Sequence, residues 1–267
     1  MCRIISYNIH SGLGRDKLQN YQRIGQFLAE SGADIVLLQE MDTRPSERAI
    51  ERDIEDICAK NVYNLVSSPA LNEPSGWYGN AILSRFKVLE QETFDVSQHG
   101  RQPRNVQVVV LQTDKGPLTV VNTHKGLKRL ERRSQFALLH DYLEQRLQAN
   151  PMPLVLAGDF NEWQFFSRAF TSLNQLLNQK KVGPTFPSQF PIFSLDRVWV
   201  SDDITVSQCK KLTSKKARVF SDHLPVQLDI KLPEANTPFM ISKCQGTSPV
   251  LQRLLTGDNL LYHFKHF

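Results

Sequence analysis

An apolar run that ends abruptly in polar side chains is the strongest constraint in this sequence. Residues 154–157 read Leu-Val-Leu-Ala and are followed by Gly158, Asp159, Phe160 and Asn161. Such a short, wholly apolar run is typical of a strand that is buried on both faces of an α/β protein. Asp159 and Asn161 would then point to one side of the strand's carboxyl end, where α/β sheets usually bind ligands. An ordinary Asp/Asn turn explains the same residues equally well.

Length and composition narrow the class of protein. The chain has 267 residues, 40% of them hydrophobic, and a net charge of +5, which indicates a folded protein whose mild positive excess is compatible with anionic partners. It contains no apolar stretch long enough to cross a bilayer and no signal-peptide core. The four cysteines lack the spacing of a metal or redox pair. We therefore expect a cytoplasmic protein with reduced thiols, with export by a route other than Sec as the open alternative. A monomer is expected as well.

Other predicted strands also carry polar side chains at one end. One acid, amide or histidine in such a place is ordinary, and only their number indicates a functional site. Besides Asp159 and Asn161, the set comprises Asn8, Glu40, Asn80, His124, Asp196, Asp222 and His223.

The chemistry of this set favours a hard metal ion. Carboxylates and amides without cysteine suit Mg²⁺, and Mn²⁺ as a second possibility. Histidines beside such an ion suit phosphate binding or proton transfer. The residues therefore predict metal-assisted attack of water on a phosphate ester. A Ser-His-Asp nucleophile is not favoured, because the strand-turn-helix elbow that it needs is missing.

Two further patterns stand beside the central run. Residues 125–133 carry five Lys or Arg side chains, which a solvated helical turn explains most simply. Positive charge is nevertheless unfavourable at a helix N-terminus, and this weakly favours an anionic ligand nearby. After the run, Phe166, Phe170, Leu173 and Leu177 lie close to helical spacing and predict a helix.

The ordered series of motifs resembles the endonuclease/exonuclease/phosphatase superfamily. The motifs are Tyr-Asn8, Gln-Glu40, Tyr78-Gly-Asn80, Asn122-Thr-His124, Gly-Asp159-Phe-Asn161, Leu-Asp196-Arg and Ser-Asp222-His223. They extend from residue 1 to about residue 232, and they are most similar to those of small bacterial members whose substrates are undefined. The resemblance implies an α/β four-layer sandwich, in which two mixed β-sheets lie face to face between helices.

The resemblance also implies a role for each residue. Glu40 would hold Mg²⁺ with Asn8 beside it, and Asp222 would contact the same or a second ion. Asp159 would orient or deprotonate the attacking water, although which group is the base stays open. Asn161 would position phosphate and water, and His223, held by Asp196, would contact the phosphate. His124 would protonate the leaving group. The phosphate pocket would be lined by Tyr78, Asn80 and Arg104.

Departures from the family pattern disfavour some branches of the superfamily but do not identify the substrate. Glu162-Trp163 and Ser194-Leu195-Asp196-Arg197 replace the sequences expected of inositol-polyphosphate 5-phosphatases. In the deoxyribonuclease branch a glutamate supports the second histidine, and Glu73 is the nearby acid here. We expect a phosphodiesterase acting on nucleic acid or a phospholipid headgroup. The alternatives are a phosphomonoesterase on a small or lipid phosphate and a catalytically silent binding module.

The last residues, 233–267, follow the family domain of residues 1–232. Three prolines break up the first part, and residues 250–267 are rich in Leu and Phe. Because so much apolar surface would not stay in water, this extension is expected to dock on the domain. A contact with a membrane or a partner protein through residues 250–267 is the alternative.

Overall fold

The computed structural model describes residues 1–44, 49–164 and 167–234. Residues 1–235 form a compact unit of their own. The C-terminal extension lies almost wholly outside the described residues, so the domain boundary at residue 232 and the docking of residues 250–267 stay predictions. None of the helices in the described ranges is long and apolar enough to cross a bilayer.

Two mixed sheets, each of six strands, form the centre of the unit. The strands in chain order are β1 (Cys2–Asn8), β2 (Ile35–Asp42), β3 (Asn64–Glu73), β4 (Gly76–Ser84), β5 (Lys87–Asp95), β6 (Asn105–Thr113), β7 (Gly116–His124), β8 (Leu154–Asp159), β9 (Asn178–Lys180), β10 (Asp196–Val200), β11 (Thr205–Lys211) and β12 (Val226–Lys231). One sheet has the order β11-β12-β1-β2-β4-β3 and the other β5-β6-β7-β8-β10-β9. β1 is parallel to β2 and β7 is parallel to β8, whereas the other pairs are antiparallel.

Helices cover the outer face of each sheet. They are α1 (Tyr21–Glu30), α2 (Ile50–Ile57), α3 (Arg129–Ala149), α4 (Leu173–Leu176) and α5 (Lys215–Phe220). Side chains from α1, α2 and α5 pack on the first sheet, and those from α3 and α4 pack on the second. The predicted four-layer α/β sandwich is confirmed.

The central strands are apolar at nearly every position because both of their faces are buried. In β8, Val155 and Ala157 point to the core between the sheets, whereas Leu154 and Leu156 point to the core beneath α3. The alternation of an extended strand thus sends neighbouring side chains into different cores. A continuous apolar run is the expected sequence of such a strand.

Polar side chains link the two sheets near one edge. Gln39 Nε2 of β2 donates to Asn122 Oδ1 of β7 at 2.8 Å, and Asn122 Nδ2 donates to the Leu38 carbonyl at 2.8 Å. Farther along, Asn80 Nδ2 of β4 donates to Asn105 Oδ1 of β6 at 2.8 Å. These side chains are buried, so each bond forms away from water, where an unmade bond is costly. They hold the sheets in one relative position.

The expected helix across residues 166–177 is wrong in extent. Helix α4 covers only Leu173–Leu176, and residues 165–166 lie outside the described residues. Phe170 and Leu173 are buried on the second sheet beside Trp199. Their spacing reflects contact with that sheet, which a loop and a short helix provide as well as a longer helix would.

We expect Gly158→Ala to destabilise the fold by about 2 kcal/mol or more. Gly158 has φ +152°, and a Cβ there would lie 1.9 Å from the Thr123 carbonyl of the neighbouring strand. Gly183→Ala is the matched control, because Gly183 also has positive φ (+85°) but has nothing within 4 Å, so only backbone strain remains. Urea denaturation measures both variants, and equal losses would contradict the collision with Thr123.

Candidate active site

The predicted site residues meet at one edge of the sandwich. β1, β2, β7 and β8 end there, and β10 begins there, since Asp196 pairs with Asp159. A cavity of ≈ 500 Å³ opens at this edge. Its lining includes Glu40, Tyr78, Arg104, His124, Asp159, Asn161, Asp222 and His223. Asn8 and Asp196 lie directly behind this lining and hydrogen-bond to it.

The carboxylate of Asp159 lies at the centre of the site and is 1% exposed. Its Oδ1 accepts from the Asn161 backbone N–H at 2.9 Å, and its Oδ2 accepts from Asn8 Nδ2 at 3.0 Å. Burial raises the pKa of Asp159 to about 6, although the charge of His223 opposes the shift. A carboxyl with this pKa can accept a proton near neutral pH.

Glu40 reaches the cavity because β2 is irregular at this position. The pairing of β2 with β4 shifts register between Leu38 and Met41, and Glu40 has φ +59°. Such a bulge redirects a side chain out of the regular alternation. Glu40 Oε1 thereby accepts from Asn8 Nδ2 at 2.9 Å and lies 3.7 Å from His124 Nε2.

His223 is the positively charged histidine of the site. Burial alone would lower its pKa, but the carboxylates of Asp196 and Asp159 outweigh burial and raise the pKa to about 10. His223 Nδ1 donates to Asp196 Oδ2 at 2.9 Å, and the Thr185 hydroxyl donates to the same oxygen. His223 Nε2 faces Asp159 Oδ2 at 3.6 Å. The imidazolium can therefore offer an N–H to an anion in the cavity.

His124, in contrast to His223, is the neutral histidine of the site. Burial, Arg104 and His223 together hold its pKa well below the usual value. Asn161 Nδ2 lies 3.1 Å from His124 Nε2 and 2.9 Å from the Lys125 carbonyl. With the amide nitrogen donating, Nε2 is the unprotonated ring nitrogen. Nε2 then accepts this hydrogen bond, and the general-acid role that the resemblance implied for His124 stays a prediction.

Arg104 is a buried cation without an acidic partner. Its guanidinium donates to Gln102 Oε1 at 2.9 Å and to the Pro103 carbonyl at 3.2 Å, and it lies 3.5 Å from the Tyr78 hydroxyl. It forms no ion pair with any of the described residues, and its Nε has no hydrogen-bond partner there. An anion in the cavity would compensate this charge.

Two of the predicted contacts are placed elsewhere. Asn80 is buried between the sheets on Asn105 and does not belong to the cavity lining, so its role in substrate binding stays a prediction. Glu73 pairs with Arg44 Nη1 at 3.3 Å. The acidic neighbours of His124 are instead Glu40 and Asp159.

The basic stretch at residues 125–133 is partly internal. Lys125 is fully buried and donates from Nζ to the Gln135 carbonyl at 3.1 Å. Arg132 is also buried; it donates to the Leu127 carbonyl at 2.6 Å and lies 3.7 Å from Glu162 Oε1. These two side chains hold the loop behind the site. Only the exposed members of the stretch can meet a ligand in solution.

The cavity also contains residues that the sequence did not single out. His10 and Ser11 follow β1, Arg44 follows β2, and Trp163 follows the Asp159 motif. Trp163 packs edge to face on Phe186 at 5.6 Å, and Phe186 also lines the cavity. These residues could have been suspected because they are close in sequence to the predicted motifs. They lie in loops, however, and a loop sequence does not show which way a side chain points.

Comparisons with known proteins agree on one family. A family model described as endonuclease/exonuclease/phosphatase matches residues 5–223. The uncharacterized protein YbhP of Escherichia coli K12 is 32% identical over 168 residues, or 60% of this chain. The match spans 65% of the length of that relative.

Solved structures share the fold at low identity. Mannosyl-6-phosphatase Bt3783 of Bacteroides thetaiotaomicron superposes with a TM-score of 0.73 and 20% identity over 87% of this chain and 100% of that one. A humanized D. rerio TDP2 gives 0.67 and 17% over 86% and 98%. The human Nocturnin catalytic domain gives 0.67 and 19% over 87% and 94%.

We expect the stability cost of buried Lys125 to depend on pH. Burial lowers its pKa from 10.5 to about 7, so between these values the unfolded chain binds a proton that the folded chain lacks. Wild-type stability should therefore rise with pH across this window, by up to about 1.4 kcal/mol per pH unit. Lys125→Met has no group that titrates here, so its stability should exceed that of the wild type by the largest amount at or below pH 7.

Urea denaturation of both proteins at several pH values from 6 to about 10 measures this difference. Lys128→Met is the control, because Lys128 is exposed. A stability difference between wild type and Lys125→Met that does not change with pH would contradict the depressed pKa.

Proposed function

The chain belongs to the endonuclease/exonuclease/phosphatase family, and from this premise we propose that it is a Mg²⁺-dependent hydrolase of phosphodiesters. The observation that carries the proposal is the convergence at Asp159. Its Oδ2 lies 3.0 Å from Asn8 Nδ2, 3.6 Å from His124 Nε2 and 3.6 Å from His223 Nε2. One cavity thus contains Asp159 as the acceptor for a water proton, His223 as an imidazolium and Glu40 as a second acid.

The residues around Glu40 fit a hard divalent cation. Its carboxylate contacts the amide of Asn8 and the neutral ring of His124, so its charge faces the cavity without a cation among the described residues. No cluster of three or more His, Cys, Asp or Glu in the described ranges has the arrangement of a ready-made metal cage, but Mg²⁺ keeps several waters and needs one or two carboxylates.

Glu40, with Asn8 beside it, would hold the ion, and Asp222 at the cavity wall would contact the same or a second one. Mn²⁺ accepts the same oxygen ligands. When bound, the metal would polarise the phosphate and reduce its negative charge.

The chain's own groups supply the rest of the proposed reaction. Asp159 would accept a proton from the attacking water, since its pKa of about 6 suits that task. His223 would donate from Nε2 to a phosphate oxygen, and Asp196 would hold the ring in the required tautomer. Asn161 would orient phosphate and water. These groups are fixed by hydrogen bonds before substrate arrives, which favours electrostatic stabilisation of the transition state.

The charge of the cavity supports a diester over a monoester. Arg44 is already paired with Asp42 at 2.9 Å and with Glu73, which leaves Arg104 as the unpaired guanidinium of the described lining. The His223 imidazolium already faces the carboxylates of Asp196 and Asp159. Arg104 is then the positive charge left for the substrate, and one such charge suits a phosphodiester, which carries one negative charge, better than a monoester with nearly two. The nucleic-acid and phospholipid substrates predicted above are both diesters.

We expect hydrolysis of bis-p-nitrophenyl phosphate to require Mg²⁺ and to exceed hydrolysis of p-nitrophenyl phosphate. Asp159→Asn and His223→Ala should each lower kcat by about 100-fold or more. Asp114→Asn, which alters an exposed acid in the turn between β6 and β7, is the control and should keep full activity. Turnover of the monoester alone would make the protein a phosphatase, and activity that survives both variants would contradict the assigned site.

We expect Arg104→Met to raise KM for the diester by about tenfold or more, because the substrate would lose its charge-assisted contact. Arg44→Met is the matched control. Its guanidinium is bonded to Asp42 and Glu73, so its removal should change KM less. Steady-state kinetics on both variants, with circular dichroism to check folding, make the comparison. An equal or larger effect of Arg44→Met would assign anion binding to Arg44.

A further inference from the structure

Large apolar side chains are exposed mainly at the edge where the cavity opens. Eight large apolar residues are exposed in the described ranges, and two of them, Met1 and Val62, lie at the opposite edge, before β1 and β3. The other six are Leu13 (36%), Leu18 (60%), Leu127 (58%), Leu130 (79%), Phe190 (71%) and Ile192 (55%). They lie in segments that follow β1, follow β7 and precede β10. Such clustering indicates an interaction surface.

The segment at residues 186–193 is held firmly while its apolar tip is exposed. Phe186 and Phe193 are paired through backbone hydrogen bonds at 2.8 and 3.0 Å, and Phe193 packs on Trp163 at 5.0 Å. Arg218 Nη1 donates to the Ser188 carbonyl at 2.9 Å and to the Gln189 carbonyl at 2.7 Å. Phe190 and Ile192 are therefore presented to solvent by a fixed base.

Contacts join this segment to the other parts of the edge. Arg15 donates to the Gln189 side chain and so connects the segment after β1 with that before β10. Leu127 and Phe186 both line the cavity. Apolar side chains thus lie both in the cavity wall and in exposed positions of the segments that follow β7 and precede β10.

Exposed basic side chains lie among these apolar ones. Lys17 lies beside Leu18, and Lys128, Arg129 and Arg133 surround Leu130. None of these four cations forms an ion pair within the part of the chain that the structure describes. The exposed acid next to Lys17, Asp16, is already paired with Arg23. The edge therefore combines unpaired positive charge with protruding apolar groups.

We propose that this edge binds the surface of an anionic phospholipid bilayer and brings phospholipid headgroups to the cavity. Apolar side chains entering the headgroup region beside basic ones are the usual means of interfacial binding. Duplex DNA would also attract the cations, but its bases are stacked inside the helix and its phosphates offer nothing to Phe190, Ile192 and Leu130. The proposal names a substrate class for the hydrolysis proposed above and rests on it for that step alone.

Flotation of the full chain with vesicles tests the surface without depending on catalysis. We use Asp159→Asn as the background, with vesicles of phosphatidylcholine alone or mixed with phosphatidylglycerol. Binding is expected to the mixed vesicles only. In that background, the triple variant Leu130→Ser, Phe190→Ser, Ile192→Ser should bind at least about tenfold more weakly, since each buried apolar side chain contributes about that factor. Val62→Ser at the opposite edge is the matched control and should bind as before.

A charge-reversal pair separates a bilayer from nucleic acid. Arg129→Glu with Arg133→Glu should weaken vesicle binding, and Lys87→Glu with Lys231→Glu, exposed at the opposite edge, should not. No vesicle binding, or binding that the triple variant retains in full, overturns the proposal. Binding of duplex DNA that falls with the charge pair but not with the triple variant would also overturn it and assign the edge to nucleic acid.

The triple variant in the wild-type background keeps the two proposals separate. Its side chains lie outside the cavity lining, so it should hydrolyse bis-p-nitrophenyl phosphate at the wild-type rate and lose activity only on vesicles. Vesicle binding without any hydrolysis would refute the proposed function and keep the surface. Hydrolysis without vesicle binding would refute the membrane surface and keep the proposed function.

Discussion

The buried amide of Asn122 is the contact on which the rest of the site depends. It accepts from Gln39 and donates to the Leu38 carbonyl, and so it joins the two sheets beside the points where β2 and β7 end. Glu40 and His124, one and two residues farther on, come from different sheets, yet their side chains lie 3.7 Å apart. A shift of one sheet against the other would separate them. The amide bonds, which are directional, add to the apolar core a positional constraint that apolar contacts alone do not provide.

Within that frame, burial determines which groups carry charge. His124 and His223 each place Nε2 3.6 Å from the same oxygen of Asp159, but only His223 has a second carboxylate, Asp196, on its other nitrogen. One ring is therefore an imidazolium and the other is neutral. Lys125, one residue beyond His124, is buried without any acid and its pKa falls to about 7. Two histidines of one site thus carry different charges in the fold.

The central strands and their polar ends were predictable, because burial on both faces leaves a continuous apolar run and the polar residues of the candidate site follow it directly. β3 and β5 were not predicted. Each is an edge strand with exposed polar positions, and β3 also contains Pro69, which edge strands tolerate. Sequence reasoning also missed the bulge at Glu40, the burial of Lys125 and the contribution of Trp163 to the cavity, for another reason. They depend on contacts with distant parts of the chain, which composition and spacing do not encode.

The site joins the beginning and the end of the family domain. β1 pairs along its length with β12, and the Ser221 hydroxyl donates to the Asn8 carbonyl at 2.7 Å. Asn8 is therefore made first during translation, and Asp222 and His223 are made more than two hundred residues later. The residues of the candidate site can therefore come together only after the segment through Lys231 has been made and β12 has paired with β1.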